Sequence, residues 1–147
     1  MYFGQQQHQL DDKDRFRVPT KFKSKLGENI YLTAGSAGCL FLFSEADFAE
    51  LEGKIKQVPL LSNPAAQAPL RALFSNADNP ECDNQGRYKL AGHLKTYAGI
   101  DKNIVFAGAG ARVEIWSEDN WKKYCDDNLN RHGTFDGILE ELGKYGL

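Results

Sequence analysis

A chain of 147 residues has room for one ordinary domain, or for two half-size units that share a core. With 41% hydrophobic and 26% charged residues the balance is that of a folded, soluble protein, and a net charge of −2 argues against coating nucleic acid through bulk positive charge alone. The apolar stretches are far too short to cross a bilayer, and the opening MYFGQQQHQLDD has no basic region followed by an apolar one, so a cytoplasmic protein with no membrane partner is expected.

The first predicted element is a half-buried strand. Arg15 out, Phe16 in, Arg17 out and Val18 in follow a period of two, inside a basic island that holds Lys13, Arg15, Arg17, Lys21, Lys23 and Lys25 against the single acid Asp14. A short amphipathic segment, Thr20 to Leu26, is stopped by Gly27. Two β-rich runs, Ile30 to Thr33 and Cys39 to Phe43, flank the small residues Gly35 to Gly38 and predict a hairpin. Ser44 then precedes Asp47 by three and caps a helix whose Phe48, Leu51 and Ile55 keep helical spacing. Asn63-Pro64 opens a second helical segment to about Phe74, with Pro69 either kinking it or marking its start.

From here the chain repeats itself. At an offset of 72, LDDKDRFRVPTKFKSKLG (Leu10 to Gly27) falls on CDNQGRYKLAGHLKTYAG (Cys82 to Gly99), so that Asp11 meets Asp83, Arg15 meets Arg87 and Phe16 meets Tyr88. The match resumes at offset 74 for Ile30 and Ile104, and at 73 for Ser44-Glu45 and Ser117-Glu118. The second copy therefore predicts a strand at Arg87 to Lys89, an amphipathic segment from Gly92 to Ala98, a hairpin of Ile104 to Ala107 with Arg112 to Trp116, and a helix capped by Ser117. Beyond Asp126 the chain is polar until Phe135 to Leu147, where Ile138, Leu139 and Leu142 form a small stripe that must dock on the body or a neighbour, or fray. The expected fold class is α+β, an internal duplication of a strand, short helix and hairpin, with units at 5–47 and 77–120, linking helices at 48–76 and a C-terminal helix and tail at 121–147.

Side chains alternate across a strand, so Lys13, Arg15 and Arg17 share one face and Gln85, Arg87 and Lys89 the equivalent face of the other copy. Two such strands related by a pseudo-twofold would form the contiguous basic patch of a β-ribbon that lies in a DNA groove. Arginine at the repeated position can grip guanine or phosphate with two bonds. Asp11 and Asp83 would orient the turn or the guanidinium. The plainer reading of Asp-x-x-x-Arg is a surface ion pair, worth at most about 1 kcal/mol; duplication and the flanking basic residues favour DNA contact. Cys39, Cys82 and Cys125 are 43 residues apart and the histidines are scattered, which predicts reduced thiols and neither metal nor cofactor. Gly108-Ala109-Gly110 lacks the third glycine of a dinucleotide loop, and no serine lies in a GxSxG elbow, so an enzyme is not expected.

The paired motifs DDKDR and DNQGR, each followed by an alternating strand, with LFLFSEADF and EIWSEDNW ending the copies, resemble the bacterial MraZ family over about residues 1 to 125. The resemblance implies a swapped-hairpin fold similar to AbrB and SpoVT domains, with both halves in one chain, and assembly into a ring homo-oligomer. It implies a nucleoid-associated transcriptional regulator that binds direct repeats in double-stranded promoter DNA upstream of the division and cell-wall gene cluster, commonly repressing it. On the matching positions, Asp11, Lys13, Arg15, Asp83, Gln85 and Arg87 carry the family motif. Two positions depart from it: Asp14 stands where the family usually has glycine, and Ala91 where Pro19 has its counterpart. A protein-binding module of antitoxin type, using the C-terminal tail, is the alternative.

Overall fold

The structure, a computed structural model, describes residues 1–59, 62–129 and 135–146. In chain order its elements are β1 (Gln5–Gln9), β2 (Arg15–Arg17), α1 (Thr20–Leu26), β3 (Ile30–Ala34), β4 (Leu40–Ser44), α2 (Glu45–Lys56) and α3 (Gln67–Ser75). β5 (Arg87–Lys89), α4 (Gly92–Tyr97), β6 (Asn103–Gly108), β7 (Val113–Ser117), α5 (Glu118–Tyr124) and α6 (Phe135–Gly143) follow. The fold is mixed α+β. Five strands form an antiparallel sheet in the order β1-β6-β7-β4-β3, and β2 pairs with β5 in a separate antiparallel ribbon.

The pairing registers follow the sequence offsets. Phe41 lies opposite Glu114, its own counterpart, while Leu40 faces Ile115 and Leu42 faces Val113, so the flanking counterparts are exchanged. The ribbon does the same, with Phe16 opposite Tyr88, Arg15 opposite Lys89 and Arg17 opposite Arg87. Both pairings are what a local twofold relation between residues 15–44 and 87–117 requires.

Period-two alternation divides the sheet's side chains between two faces. One face carries Ile30, Leu32, Leu40, Leu42, Ile104, Phe106, Val113 and Ile115 into the main core, where they meet Phe16, Val18 and Phe22 from the first copy and Tyr88, Leu90 and Leu94 from the second. The other face carries Cys39, Val105, Ala107 and Trp116, covered by Phe41, Trp121 and Tyr124. Glu114 lies on that face and is buried, yet it is satisfied: its carboxylate accepts from Trp116 Nε1 at 3.1 Å and from Arg112 at 2.8 Å.

The helices end as their sequences require. Ser44 Oγ accepts from the Asp47 amide and Ser117 Oγ from the Asn120 amide, capping α2 and α5 alike. Gly27 and Gly99, both at positive φ, close the helical segments of the two copies. A short 3-10 turn at Pro64–Ala66 precedes α3, which puts Pro69 in the first turn of that helix and settles the choice between kink and start in favour of the start.

Three features lie outside the expectations. β1 has no apolar alternation, yet its backbone pairs with β6 from Gln5↔Ala107 to Gln9↔Asn103 and its side chains stay mostly exposed. Its counterpart in the second copy is reduced to a single bridge between Asp78 and Leu32. The stretch after α5, read from the sequence only as polar beyond Asp126, continues as a π-helical turn over Cys125–Leu129. All three cysteines are free thiols, and burial, followed by the nearby Glu114, pushes Cys39 up to about 12. Among the described residues no group of histidine, cysteine and acid side chains could hold a metal ion, and no helix is long and apolar enough to cross a membrane.

Candidate nucleic-acid interface

The ribbon of β2 and β5 is seated on the sheet by its central pair. Phe16 stacks on Tyr88 with ring centroids 5.6 Å apart and leans on Phe106 at 6.0 Å, while Tyr88 Oη donates to the Glu28 carbonyl. With these two rings turned inward, Arg17 and Lys89 are exposed and Arg15 and Arg87 lie at the surface, half-buried.

Each strand is entered through the same turn. Asp11 Oδ1 accepts from the amides of Lys13 at 3.0 Å and Arg15 at 2.9 Å, and its Oδ2 accepts from Arg15 Nε at 2.7 Å. In the second copy Asp83 Oδ1 accepts from the amides of Gln85 and Arg87, both at 2.8 Å, and Oδ2 from Arg87 Nε at 2.7 Å. The aspartates thus fix both the loop and the guanidinium, and leave each arginine side chain 24% exposed. Arg87 is held through Nε, which leaves the outer edge of its fork available for a second acceptor, whereas Nη1 of Arg15 also lies 3.9 Å from Asp83 Oδ2 and ties the two braces together across the ribbon.

The charge is locked on. The Arg87 amide, followed by the Arg87 guanidinium and the Gln85 amide, overcomes desolvation and draws the Asp83 carboxyl down to about 2. At Asp11 desolvation pushes upward, but the Arg15 amide, the Arg15 guanidinium and the Lys13 amide together outweigh it and hold the carboxyl below its ordinary value.

Each turn closes with an amide-to-carbonyl bond, Asp14 to Asp11 and Gly86 to Asp83, both at 3.1 Å. Its last residue stands at positive φ, 74° for Gly86 and 57° for Asp14. Glycine adopts that conformation freely, and aspartate is among the few other residues found there.

The copies also hold one another. Arg17 Nε donates to the Gln85 carbonyl at 2.9 Å, and its counterpart Lys89 donates through Nζ to the Lys13 carbonyl at 2.8 Å. Beyond them, Lys95 Nζ pairs with Asp14 at 3.1 Å, whereas the equivalent Lys23 Nζ lies 3.8 Å from where a side chain on Gly86 would begin.

The structure therefore brings all six expected contact residues, Lys13, Arg15, Arg17, Gln85, Arg87 and Lys89, onto one ribbon and its two turns, with Asp11 and Asp83 beneath them. It adds Lys23 and Lys95 from α1 and α4. Their shared place in the repeat was visible, but only the fold shows that each leans over the other copy's turn. A cleft of about 360 Å³ runs beside the ribbon, lined by His8, Gln9, Asp11, Arg15, Arg17 and Arg87, and its outer wall comes from the strand that was not anticipated, β1.

Comparison with known proteins agrees with this architecture. The family model described as "MraZ protein, putative antitoxin-like" matches residues 1–71 and 73–136. Proteins named Transcriptional regulator MraZ are similar to the chain throughout: that of Alkaliphilus oremlandii is 39% identical over 148 residues, that of Clostridium beijerinckii 40% over 147, and that of Carboxydothermus hydrogenoformans 41% over 147, each pair covered over the full length of both proteins. With both halves matched and relatives near 40% identity aligned from end to end, the chain belongs to the MraZ family.

Proposed function

We propose that this protein is a sequence-specific DNA-binding transcriptional regulator that acts through its two Asp-x-x-x-Arg strands. The observation that carries the reading is the ribbon's register: Arg15 stands opposite Lys89 and Arg17 opposite Arg87. Like charges directly across a strand pair are unfavourable. A polyanion along the ribbon relieves that repulsion, and a two-stranded ribbon fits a major groove. Lys13, Arg17 and Lys89 supply phosphate contacts, while Arg15 and Arg87, braced by Asp11 and Asp83, are aimed for bidentate readout, with Gln85 beside them.

The same reading takes residues 5–47 and 77–120 as duplicated halves of a swapped-hairpin pseudo-dimer, supported by the exchanged registers and by a family model that matches on both sides of residue 72. It extends to a nucleoid-associated ring homo-oligomer that binds direct repeats and represses the division and cell-wall gene cluster, as family membership implies. Fluorescence anisotropy with direct-repeat and shuffled duplexes tests it. Specific binding that falls at least tenfold on Arg15→Ala or Arg87→Ala is expected, about the 1–3 kcal/mol of one bidentate base contact. Equal affinity for the two duplexes rejects sequence readout.

A second reading, a protein-binding module of antitoxin type, is favoured by α6, whose Phe135, Leu139 and Leu142 are exposed. Pull-down with and without residues 126–147 decides it.

A further inference from the structure

The two ends of the ribbon are built alike but charged differently. At one end the turn Asp11–Arg15 contains Asp12 and Asp14; at the other the turn Asp83–Arg87 has Asn84 and Gly86 in the same places. Each turn lies under a lysine from the opposite copy's helix. Lys95 is held by the Asp14 carboxylate at 3.1 Å. Lys23 stands over Gly86, where there is no side chain to hold it, and among the described residues it makes no ion pair. The same end carries both Arg17 and Arg87, directly opposed across the strands. One end thus presents two arginines and an uncommitted lysine. The other presents Arg15 and three lysines, Lys13, Lys89 and Lys95, beside two additional acids; Lys13 stands where the first end has the neutral Gln85, and Lys95 is already paired with Asp14.

From this juxtaposition we propose that Asp14 makes the nucleic-acid interface unequal: the Arg17, Arg87 and Lys23 end makes the dominant phosphate contacts, and Asp14 keeps Lys95 from making the matching contact at the other end. The inference rests on the DNA-binding reading and deepens it. A pseudo-twofold protein with equal ends has no electrostatic preference between the two directions along a site. Unequal ends supply one, which suits a protein whose targets repeat head to tail.

The test measures binding to a random-sequence DNA duplex as a function of salt. The slope of log affinity against log salt counts the phosphates neutralised, at about 0.9 for each. Asp14→Asn keeps the shape of the side chain and a residue that tolerates positive φ, and should free Lys95. Expected are binding about threefold to tenfold tighter at ~0.1 M salt and a slope steeper by about 0.9 per bound subunit. Lys23→Gln should make the slope shallower by the same amount. Placed in a Lys95→Gln background, Asp14→Asn should leave the slope where that background has it. Asp14→Gly, which installs the residue its counterpart uses, repeats the measurement if asparagine disturbs the turn, as thermal unfolding would reveal. An unchanged slope for both Asp14 variants overturns the proposal, as does the same steepening in the Lys95→Gln background. Wild-type protein that shows no salt-dependent binding overturns the DNA-binding reading itself, a result distinct from wild-type binding that Asp14 does not modulate.

Discussion

Asp83 performs two tasks with one carboxylate, bracing a loop through two amides and a guanidinium through its Nε. Both tasks need the ionised form, so they leave a pH signature. Its pKa is drawn down to about 2, below the ~3.9 of an unfolded chain. The stabilisation is therefore complete above about pH 4 and is lost as pH falls through about 2. Carboxyl titration by NMR should place the Asp83 midpoint near 2, and urea unfolding of Asp83→Asn should lose part of the pH dependence seen between about pH 4 and 2. A midpoint in the ordinary aspartate range would show that the brace is absent in solution. At this scale the sequence was informative about partners and silent about exposure. The five-residue motif announces that Asp11 and Arg15 meet, and alternation turns Arg15 outward, yet the Nε bond draws the guanidinium down until only a quarter of the side chain is accessible. Glu114 is the opposite case. It interrupts an apolar run, and Arg112 and Trp116, each two positions away, satisfy it in the interior.

At the scale of the element, the ribbon depends on one pair of rings. Three-residue strands are too short to be stable in isolation, so β2 and β5 stay in place because Phe16, 2% exposed, is anchored between Tyr88 and Phe106. Phe16→Ala should cost about 3–5 kcal/mol in denaturant unfolding and abolish DNA binding, whereas Phe16→Leu, if folded, should retain measurable binding. β1 depends on backbone proximity instead. A Cβ on Gly108 would come within 2.4 Å of the Phe3 amide nitrogen, so Gly108→Ala should destabilise by about 1–3 kcal/mol and displace the first residues from β6, read by urea unfolding and by hydrogen exchange of the Tyr2 amide. The elements legible in the sequence include those that bury an alternating face, stop at a glycine or carry a capping serine: β2 and its repeat β5, α1 and α4, the two hairpins, and α2 and α5. β1 was not legible. Apart from His8, which packs edge-on against Phe106, Gln5 to Gln9 are exposed, and a strand recruited to an edge chiefly by backbone hydrogen bonds leaves no hydrophobic pattern to read.

For the molecule as a whole, separation along the chain is the governing quantity. The sheet joins Gln5 to Ala107 and Leu40 to Ile115, and the ribbon joins Arg15 to Lys89. Distant pairings of this kind require large loops to close before any contact rewards them, so refolding should occupy milliseconds to seconds rather than microseconds, as stopped-flow Trp116 fluorescence can measure. The proposed assembly adds a second consequence of scale. If several subunits present their ribbons on one ring, a duplex with two correctly spaced repeats should bind about 10²-fold or more tighter than one with a single repeat. Equal affinities would mean that the subunits engage DNA independently.

The halves also interlock. Each supplies one hairpin to the same sheet and one strand to the same ribbon, and Arg17 and Lys89 reach in opposite directions to fasten the other's turn. Two fragments divided between α2 and α3 and expressed separately should therefore find each other and restore the parent fold as a clasped heterodimer, as co-purification and circular dichroism would show.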